Sequence, residues 1–142
     1  MKKLILGIAT MAMLSLTAVA QPVKNVPVKV KTAFSQKFTK ATDVKWGKEG
    51  KTEWEAEFKL DGKSYSANFD YQGAWKETEY AITASEIPAA VKTVINKDYA
   101  AYKMKGTDVS ETPKGKVYEV TFVKEKKSME VVFDPNGKIV KE

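Results

Sequence analysis

Carboxylates are the side chains with the widest scope for chemistry in this sequence, because it contains no His and no Cys. Those absences exclude Cys–His and Ser–His nucleophile pairs, and they remove the usual ligands of zinc, copper and haem. Glu53, Glu55 and Glu57 alternate along one segment and could supply paired carboxylates for glycoside hydrolysis. On the open face of a strand they lack a catalytic cleft, and no spacing motif singles out a Ser–Lys pair. We therefore expect that the protein is not an enzyme.

Asp side chains in turns offer one further kind of chemistry, because calcium binds through oxygen ligands alone. Asp61, Asp70 and Asp134 each fall in a predicted turn whose backbone carbonyls could join them. No Asp-x-Asp-x-Asp-Gly run accompanies them, and capping of the turn's own N–H groups explains these side chains more simply. We expect no cofactor, and a calcium-responsive or small-ligand-binding envelope protein is the alternative function.

A strand end that runs into a tight turn occurs twice, as Phe69-Asp70-Tyr71-Gln72-Gly73 and as Phe133-Asp134-Pro135-Asn136-Gly137. In each copy the Asp can accept hydrogen bonds from downstream N–H groups, and the Gly can adopt the positive φ that such a turn needs. The predicted structural turns are therefore centred on Asp70, Gly73, Asp134 and Gly137. We interpret the chain as one unit used twice.

A helical stripe of apolar residues precedes each of these turns. The first stripe consists of Val26, Val30, Ala33, Phe34 and Phe38. The second repeats the spacing with Ile87, Val91, Val94, Ile95 and Tyr99. After each stripe, alternating apolar residues separated by turn signals predict four strands. The register of the last strand of the first set is undefined, because strict alternation would place the apolar Trp75 on the same side as Glu77 and Glu79.

A four-stranded sheet with one apolar face must cover that face, and a helix laid across it is the available cover. We therefore predict an α+β fold of two tandem units, in each of which one helix packs on a four-stranded antiparallel meander. The first unit spans residues 21–80 and the second spans residues 81–142.

Residues 1–20 have the pattern of a signal peptide. A short basic start, Met1-Lys2-Lys3, precedes an apolar run from Leu4 to Val19, and small residues lie around Ala20. Cleavage after Ala20 would leave no stable membrane anchor. We expect a periplasmic or secreted protein, stabilised without disulfides because it has no Cys.

The charge pattern argues against nucleic acid as a partner. The chain has a net charge of +6, but every basic residue is Lys and both signs are mixed throughout the sequence. Nucleic-acid binders usually concentrate positive charge on one face and use Arg on phosphate or guanine.

The polar faces of the predicted strands are the candidate binding surface. In the first unit the face carries Glu53, Glu55, Glu57, Lys59, Ser64, Ser66 and Asn68. In the second unit it carries Glu119 and Thr121 among the apolar residues Val117, Val123 and Val132. An exposed apolar patch of this kind could bind a partner or pack against the first unit. For the glutamates, Lys45 and Lys63 are the nearest candidate counterions.

The sequence resembles a family of exported bacterial proteins, the PepSY-like proteins, whose fold is similar to that of the β-lactamase inhibitory proteins. The markers are Val26-Pro27 with Ile87-Pro88, Trp54-Glu55-Ala56-Glu57-Phe58 with Tyr118-Glu119-Val120-Thr121-Phe122, and the two Phe-Asp turns. The resemblance implies a two-layer sandwich and an exported, non-catalytic protein. β-Lactamase inhibitory proteins bind an enzyme with the concave face of their sheet. We therefore expect a protein or peptide partner in the cell envelope.

Overall fold

The computed structural model describes residues 25–141. The predicted signal peptide and its cleavage after Ala20 lie outside the described residues. Within residues 25–141, neither helix has the length and apolar character needed to cross a membrane.

The fold is α+β, with two helices and one antiparallel sheet of eight strands arranged in chain order. The first part of the chain contains α1 (Val28–Lys37), β1 (Thr42–Glu49), β2 (Glu53–Leu60), β3 (Lys63–Asp70) and β4 (Trp75–Ala81). A 3-10 turn at Ala84–Glu86 leads to α2 (Ala89–Asp98), β5 (Lys103–Thr112), β6 (Gly115–Lys124), β7 (Lys127–Phe133) and β8 (Ile139–Lys141).

The two sets of strands join edge to edge through β4 and β5. Tyr80 lies opposite Val109, and Glu79 lies opposite Ser110, in one antiparallel ladder. The predicted boundary between residues 80 and 81 therefore falls at the last residue of β4. The sequence left open whether the apolar patch of the second set packs against the first; the two sets meet through the β4–β5 ladder and share one continuous sheet.

The first helix covers β1 to β3 with aromatic side chains. Val30 and Phe34 are buried in one apolar cluster with Trp54, Phe58 and Phe69. The ring of Phe34 meets the ring of Phe58 edge to face, with centroids 5.0 Å apart. Burial of each of these large side chains contributes roughly 1.5 to 3 kcal/mol to the stability of the fold. The apolar stripe of the helix therefore determines which face of the sheet it covers.

The second helix covers β6 and β7 in the same way. Val91 and Tyr99 are buried in a separate cluster with Val120, Phe122 and Phe133. Tyr99 stacks on Phe122 with ring centroids 4.7 Å apart. Both helices therefore pack on the same face of the sheet, which leaves the opposite face without a helix in the described part of the chain.

Proline starts both helices. Pro27 and Pro88 precede α1 and α2 with φ of −56° and −57°. A proline has no N–H to leave unpaired at a helix start, and its fixed φ suits that position. The helices end where the N–H groups of Phe38 and Tyr99 make the last intrahelical bonds, 2.8 and 2.9 Å long.

The two Asp-x-x-Gly turns have the same hydrogen bonds. Oδ1 of Asp134 accepts from the backbone N–H groups of Asn136 and Lys138, both at 2.9 Å. Oδ1 of Asp70 likewise accepts two backbone N–H groups, at 3.0 and 2.9 Å. These carboxylates replace water for N–H groups that the turn leaves unpaired.

Asp134→Ala is expected to lower the free energy of unfolding by about 1 kcal/mol, because two backbone N–H groups lose their acceptor. Urea denaturation followed by tryptophan fluorescence measures the change. Asp134→Asn is the matched control, since it retains a side-chain oxygen at Oδ1. Equal losses in both variants would show that these two hydrogen bonds do not stabilise the turn.

Candidate partner-binding face

The sheet face opposite the helices is the candidate functional site. We call its central part the open face and define it by Glu55, Glu57, Ser66, Asn68, Glu77, Glu79, Asp108, Ser110 and Glu119. The strands β2 to β6 carry these residues. Alternation along a strand places every second side chain on this face and the others against the helices.

The register of β2 and β3 brings the predicted residues of the first set together. Glu55 lies opposite Asn68, and Glu57 lies opposite Ser66. Lys59 lies opposite Ser64 towards one end of the strands, and Glu53 lies towards the other. These residues therefore share one face, as their alternation in the sequence predicts.

A bulge in β4 adds two carboxylates that the sequence did not assign. The pairing shifts between Asn68 and Phe69, so that Phe69 lies opposite Trp75 while Asn68 lies opposite Glu77. Trp75 therefore belongs to the helix face, and Glu77 and Glu79 belong to the open face. A strand with strict alternation would place Trp75 and Glu77 on the same side.

Contacts of the Trp75 indole hold this bulge. Its Nε1 donates to the backbone oxygen of Glu77 at 2.8 Å and to Oγ1 of Thr78 at 2.9 Å. The ammonium of Lys37 lies 3.7 Å from the ring centroid, a cation–π contact from α1. In the sequence, the bulge was indicated only by an apolar Trp75 at a position that alternation would give to the same side as Glu77 and Glu79.

Pairing across β4, β5 and β6 connects the first set of residues to the second. Glu79 lies opposite Ser110, whose partner on β6 is Val117. Asp108 lies opposite Glu119, and Thr121 lies opposite Gly106. The predicted residues Glu119 and Thr121 are thus on the same face as Glu55 and Glu57, with Asp108 and Ser110 as further members that the sequence did not assign.

The apolar residues of the second set are less exposed than the sequence predicts. Val132 is fully buried, and Val117 and Val123 are partly buried. Val132 lies opposite Glu119 on β6 and opposite Lys141 on β8. The expected exposed apolar patch is therefore wrong for Val132, and it is reduced to the partly exposed Val117 and Val123.

Burial and neighbouring carboxylates raise the pKa of Glu79 to about 7. Burial is the largest cause, and the carboxylates of Glu77, Glu119, Asp108 and Glu55 add to it in that order. A charge held near like charges away from water favours its protonated form. Negative charge on the open face is therefore crowded enough to alter protonation near neutral pH.

Two further carboxylates on this face have a raised pKa. Burial, followed by Glu49 and Glu57, raises the pKa of Glu55. Burial raises the pKa of Asp108. The three affected groups lie on β2, β4 and β5, so the effect extends across the centre of the sheet.

Lysine ion pairs within residues 25–141 do not involve these three carboxylates. Lys59 pairs with Asp43 at 3.3 Å, and Lys116 pairs with Glu111 at 2.6 Å on the helix side. Lys63, a predicted counterion of the glutamates, pairs instead with Glu86 at 3.2 Å. Lys45, the other predicted counterion, lies directly opposite Glu57, on the edge strand β1.

The chemistry available at the open face is the binding of donors and cations. Carboxylates accept hydrogen bonds and attract positive charge. No group of three or more acidic side chains in residues 25–141 is placed to hold a metal ion. The carboxylates of Asp70 and Asp134 accept backbone N–H groups of their own turns.

Comparison with known proteins agrees with this architecture. Residues 52–141 match a family model described as "Putative beta-lactamase-inhibitor-like, PepSY-like". A comparison with curated proteins finds no match.

Solved structures share the fold at low sequence identity. A DUF2874 family protein from Bacteroides uniformis is 22% identical with a TM-score of 0.74, over 81% of this chain and 86% of that chain. A "putative periplasmic" protein from Bacteroides eggerthii is 18% identical with a TM-score of 0.75, over 82% and 87%. A BLIP-like protein from Bacteroides fragilis is 21% identical with a TM-score of 0.74, over 82% and 84%.

Proposed function

The chain belongs to the PepSY-like, beta-lactamase-inhibitor-like family, and from that premise we propose that it is a non-catalytic binding module of the cell envelope. In this proposal the open face holds a protein or peptide partner. The observation that carries it is the placement of both helices on one side of an eight-stranded sheet. A broad polar surface with groups on five adjacent strands is thereby left for a partner.

Export to the periplasm is part of the proposal. The basic start and apolar run of residues 1–20 support it, as does the description of the similar Bacteroides eggerthii protein as "putative periplasmic". In that compartment a partner would be another envelope protein. Cleavage after Ala20 would release the binding module from the membrane.

A duplication of one unit is the origin that we propose for the chain. The order of a helix followed by four strands occurs twice. Gly73 lies against the backbone oxygen of Lys29 in α1, and Gly137 lies against that of Ala90 in α2. In each half, the turn glycine contacts the second residue of the helix, and this shared contact supports two copies of one ancestral unit.

Site-specific photo-crosslinking in the envelope tests the binding function. A photoreactive residue replaces Ser66 at the centre of the open face or, as the matched control, Ser35 on the exposed surface of α1. We expect one discrete crosslinked partner from position 66 and none from position 35. Gel mobility and mass spectrometry identify it.

Equal crosslinking from both positions, or none from position 66, would overturn the proposal. Both serines are replaced by the same group, so reactivity and expression are matched. A melting temperature close to that of the unmodified protein in both variants ensures that the comparison concerns the surface and not folding.

A further inference from the structure

We propose that the partner segment that occupies the open face is an extended peptide rich in lysine or arginine. This inference rests on the proposed binding function and specifies the chemistry of the partner. Three features of the open face support it: its charge, a buried acceptor at its centre, and its half-buried aliphatic border.

The charge of the open face is opposite to that of the whole chain. The chain has a net charge of +6, but Glu55, Glu57, Glu77, Glu79 and Asp108 lie together on this face. Within the described residues, no lysine ion pair involves these five carboxylates. Lys59 and Lys45 share this side of the sheet, at the end of β2 and on the edge strand β1. Complementary charge steers partners and excludes those of like charge, so a cationic partner fits this face.

A buried hydrogen-bond acceptor lies at the centre of the same face. Oδ1 of Asn68 is buried and has no hydrogen-bond partner in residues 25–141. Asn68 sits between Glu55 on β2 and Glu77 on β4. A buried carbonyl oxygen without a donor costs free energy. Because this oxygen is buried, an ammonium or guanidinium group would reach it after a rotation of the Asn68 side chain, and would then donate to Asn68 and to the flanking carboxylates together.

The border of the open face suits the stems of long cationic side chains. Val117 on β6 is partly exposed two residues before Glu119, and Val123 is partly exposed four residues after it. Lysine and arginine pack their methylene groups on apolar surface while the charged end reaches polar groups. The valines would therefore contact the stem of a side chain whose charged end meets the carboxylates.

The spacing of carboxylates across the strands sets the repeat of a suitable peptide. Glu57 and Glu79 lie in one row, with Ser66 of β3 between them. Two strand spacings separate them, which is about 10 Å. Residues three apart in an extended polyproline-II peptide lie about 9 Å apart on one side. A lysine at every third position would therefore meet successive carboxylates.

Fluorescence anisotropy of a labelled Lys-Ser-Pro repeat peptide tests this inference on the purified protein. We expect the lysine peptide to bind and the matching Glu-Ser-Pro peptide not to bind. The double variant Glu55→Gln/Glu57→Gln should weaken binding by about tenfold at low salt. The control variant Asp98→Asn/Glu125→Gln removes the same charge from exposed sites off the open face and should change binding by less than about twofold.

Equal binding of the two peptides, or an equal loss in the two double variants, would overturn the inference. Competition by spermidine as effective as that by the lysine peptide would assign the face to a small polyamine and would also overturn it. The outcome is separable from that of the proposed function. A partner that crosslinks to position 66 as well in Glu55→Gln/Glu57→Gln as in the parent would support a binding face but not a cationic partner.

Discussion

Gly73→Ala is expected to lower the free energy of unfolding by about 2 to 4 kcal/mol. A Cβ at this position would lie 2.7 Å from the backbone oxygen of Lys29, which is closer than real Cβ contacts. The φ of Gly73 is +87°, a conformation that side-chain-bearing residues rarely adopt. The oxygen belongs to the backbone of α1, so relief requires the helix or the turn to move.

Gly62→Ala is the matched control for Gly73→Ala. Gly62 has a similar φ of +80°, but a Cβ there would have no atom within 4 Å. Gly62→Ala should lower the free energy of unfolding by about 1 to 2 kcal/mol, which is the cost of placing an alanine at positive φ without a steric clash. Urea denaturation of both variants measures the difference, which is the cost of the contact with α1. Equal losses would show that the turn does not press against the helix.

The second copy provides a repeat of the same test. A Cβ at Gly137 would lie 2.7 Å from the backbone oxygen of Ala90, and the φ of Gly137 is +83°. Gly137→Ala should therefore cost as much as Gly73→Ala. A large loss in one variant alone would mean that the helix–turn contact matters in only one half of the sheet.

Glu79→Gln is expected to stabilise the protein at pH 8. The pKa of Glu79 is raised from 4.5 to about 7 in the folded protein, mainly by burial and then by neighbouring carboxylates. The stability linked to its proton is fully present below pH 4.5 and is lost as pH rises through about 7. Gln keeps the shape of the side chain and removes the charge that opposes folding.

The expected gain at pH 8 is about 1 to 2 kcal/mol after allowance for solvent screening of this half-buried group. The gain should shrink as pH falls from 7 towards 4.5, because folded Glu79 is then protonated and no longer carries the charge that opposes folding. Urea denaturation at several pH values between 4.5 and 8 measures it. The slope of stability against pH should be smaller in the variant than in the parent.

Glu125→Gln is the control for the change in net charge. Glu125 lies in the exposed turn between β6 and β7, outside the open face. The substitution Glu125→Gln should change the free energy of unfolding by less than about 0.5 kcal/mol over the same pH range. A Glu79→Gln variant that is no more stable at pH 8 than Glu125→Gln would show that the open face does not crowd its carboxylates.

The sequence was most informative where a local pattern of residues is compatible with only one kind of structure. The stripes that include Val30 and Val91 are amphipathic at helical spacing, so the buried side of each helix follows from spacing alone. The alternation of Glu53, Glu55 and Glu57 likewise put them on one side of β2. The resemblance to the PepSY-like proteins is confirmed by the family model over residues 52–141.

The open face was predicted only in part, because its membership depends on pairing between strands. Glu77 and Glu79 could not be assigned while the register of β4 was undefined, and a bulge beside Trp75 settles that register. Asp108 and Ser110 join the face because β5 pairs with both β4 and β6. The burial of Val132 is likewise a tertiary property that its own segment does not show.

The sequence by itself determined the class of each segment, the buried side of each helix and the positions of the turns, because each depends on residues near one another in the chain. Only the tertiary structure decided that eight strands form one sheet, that both helices lie on one side, and which carboxylates meet on the other. Those outcomes depend on the register between strands and on the contact of each turn with its helix. Both arise from backbone geometry between distant residues, which no local pattern of side chains encodes.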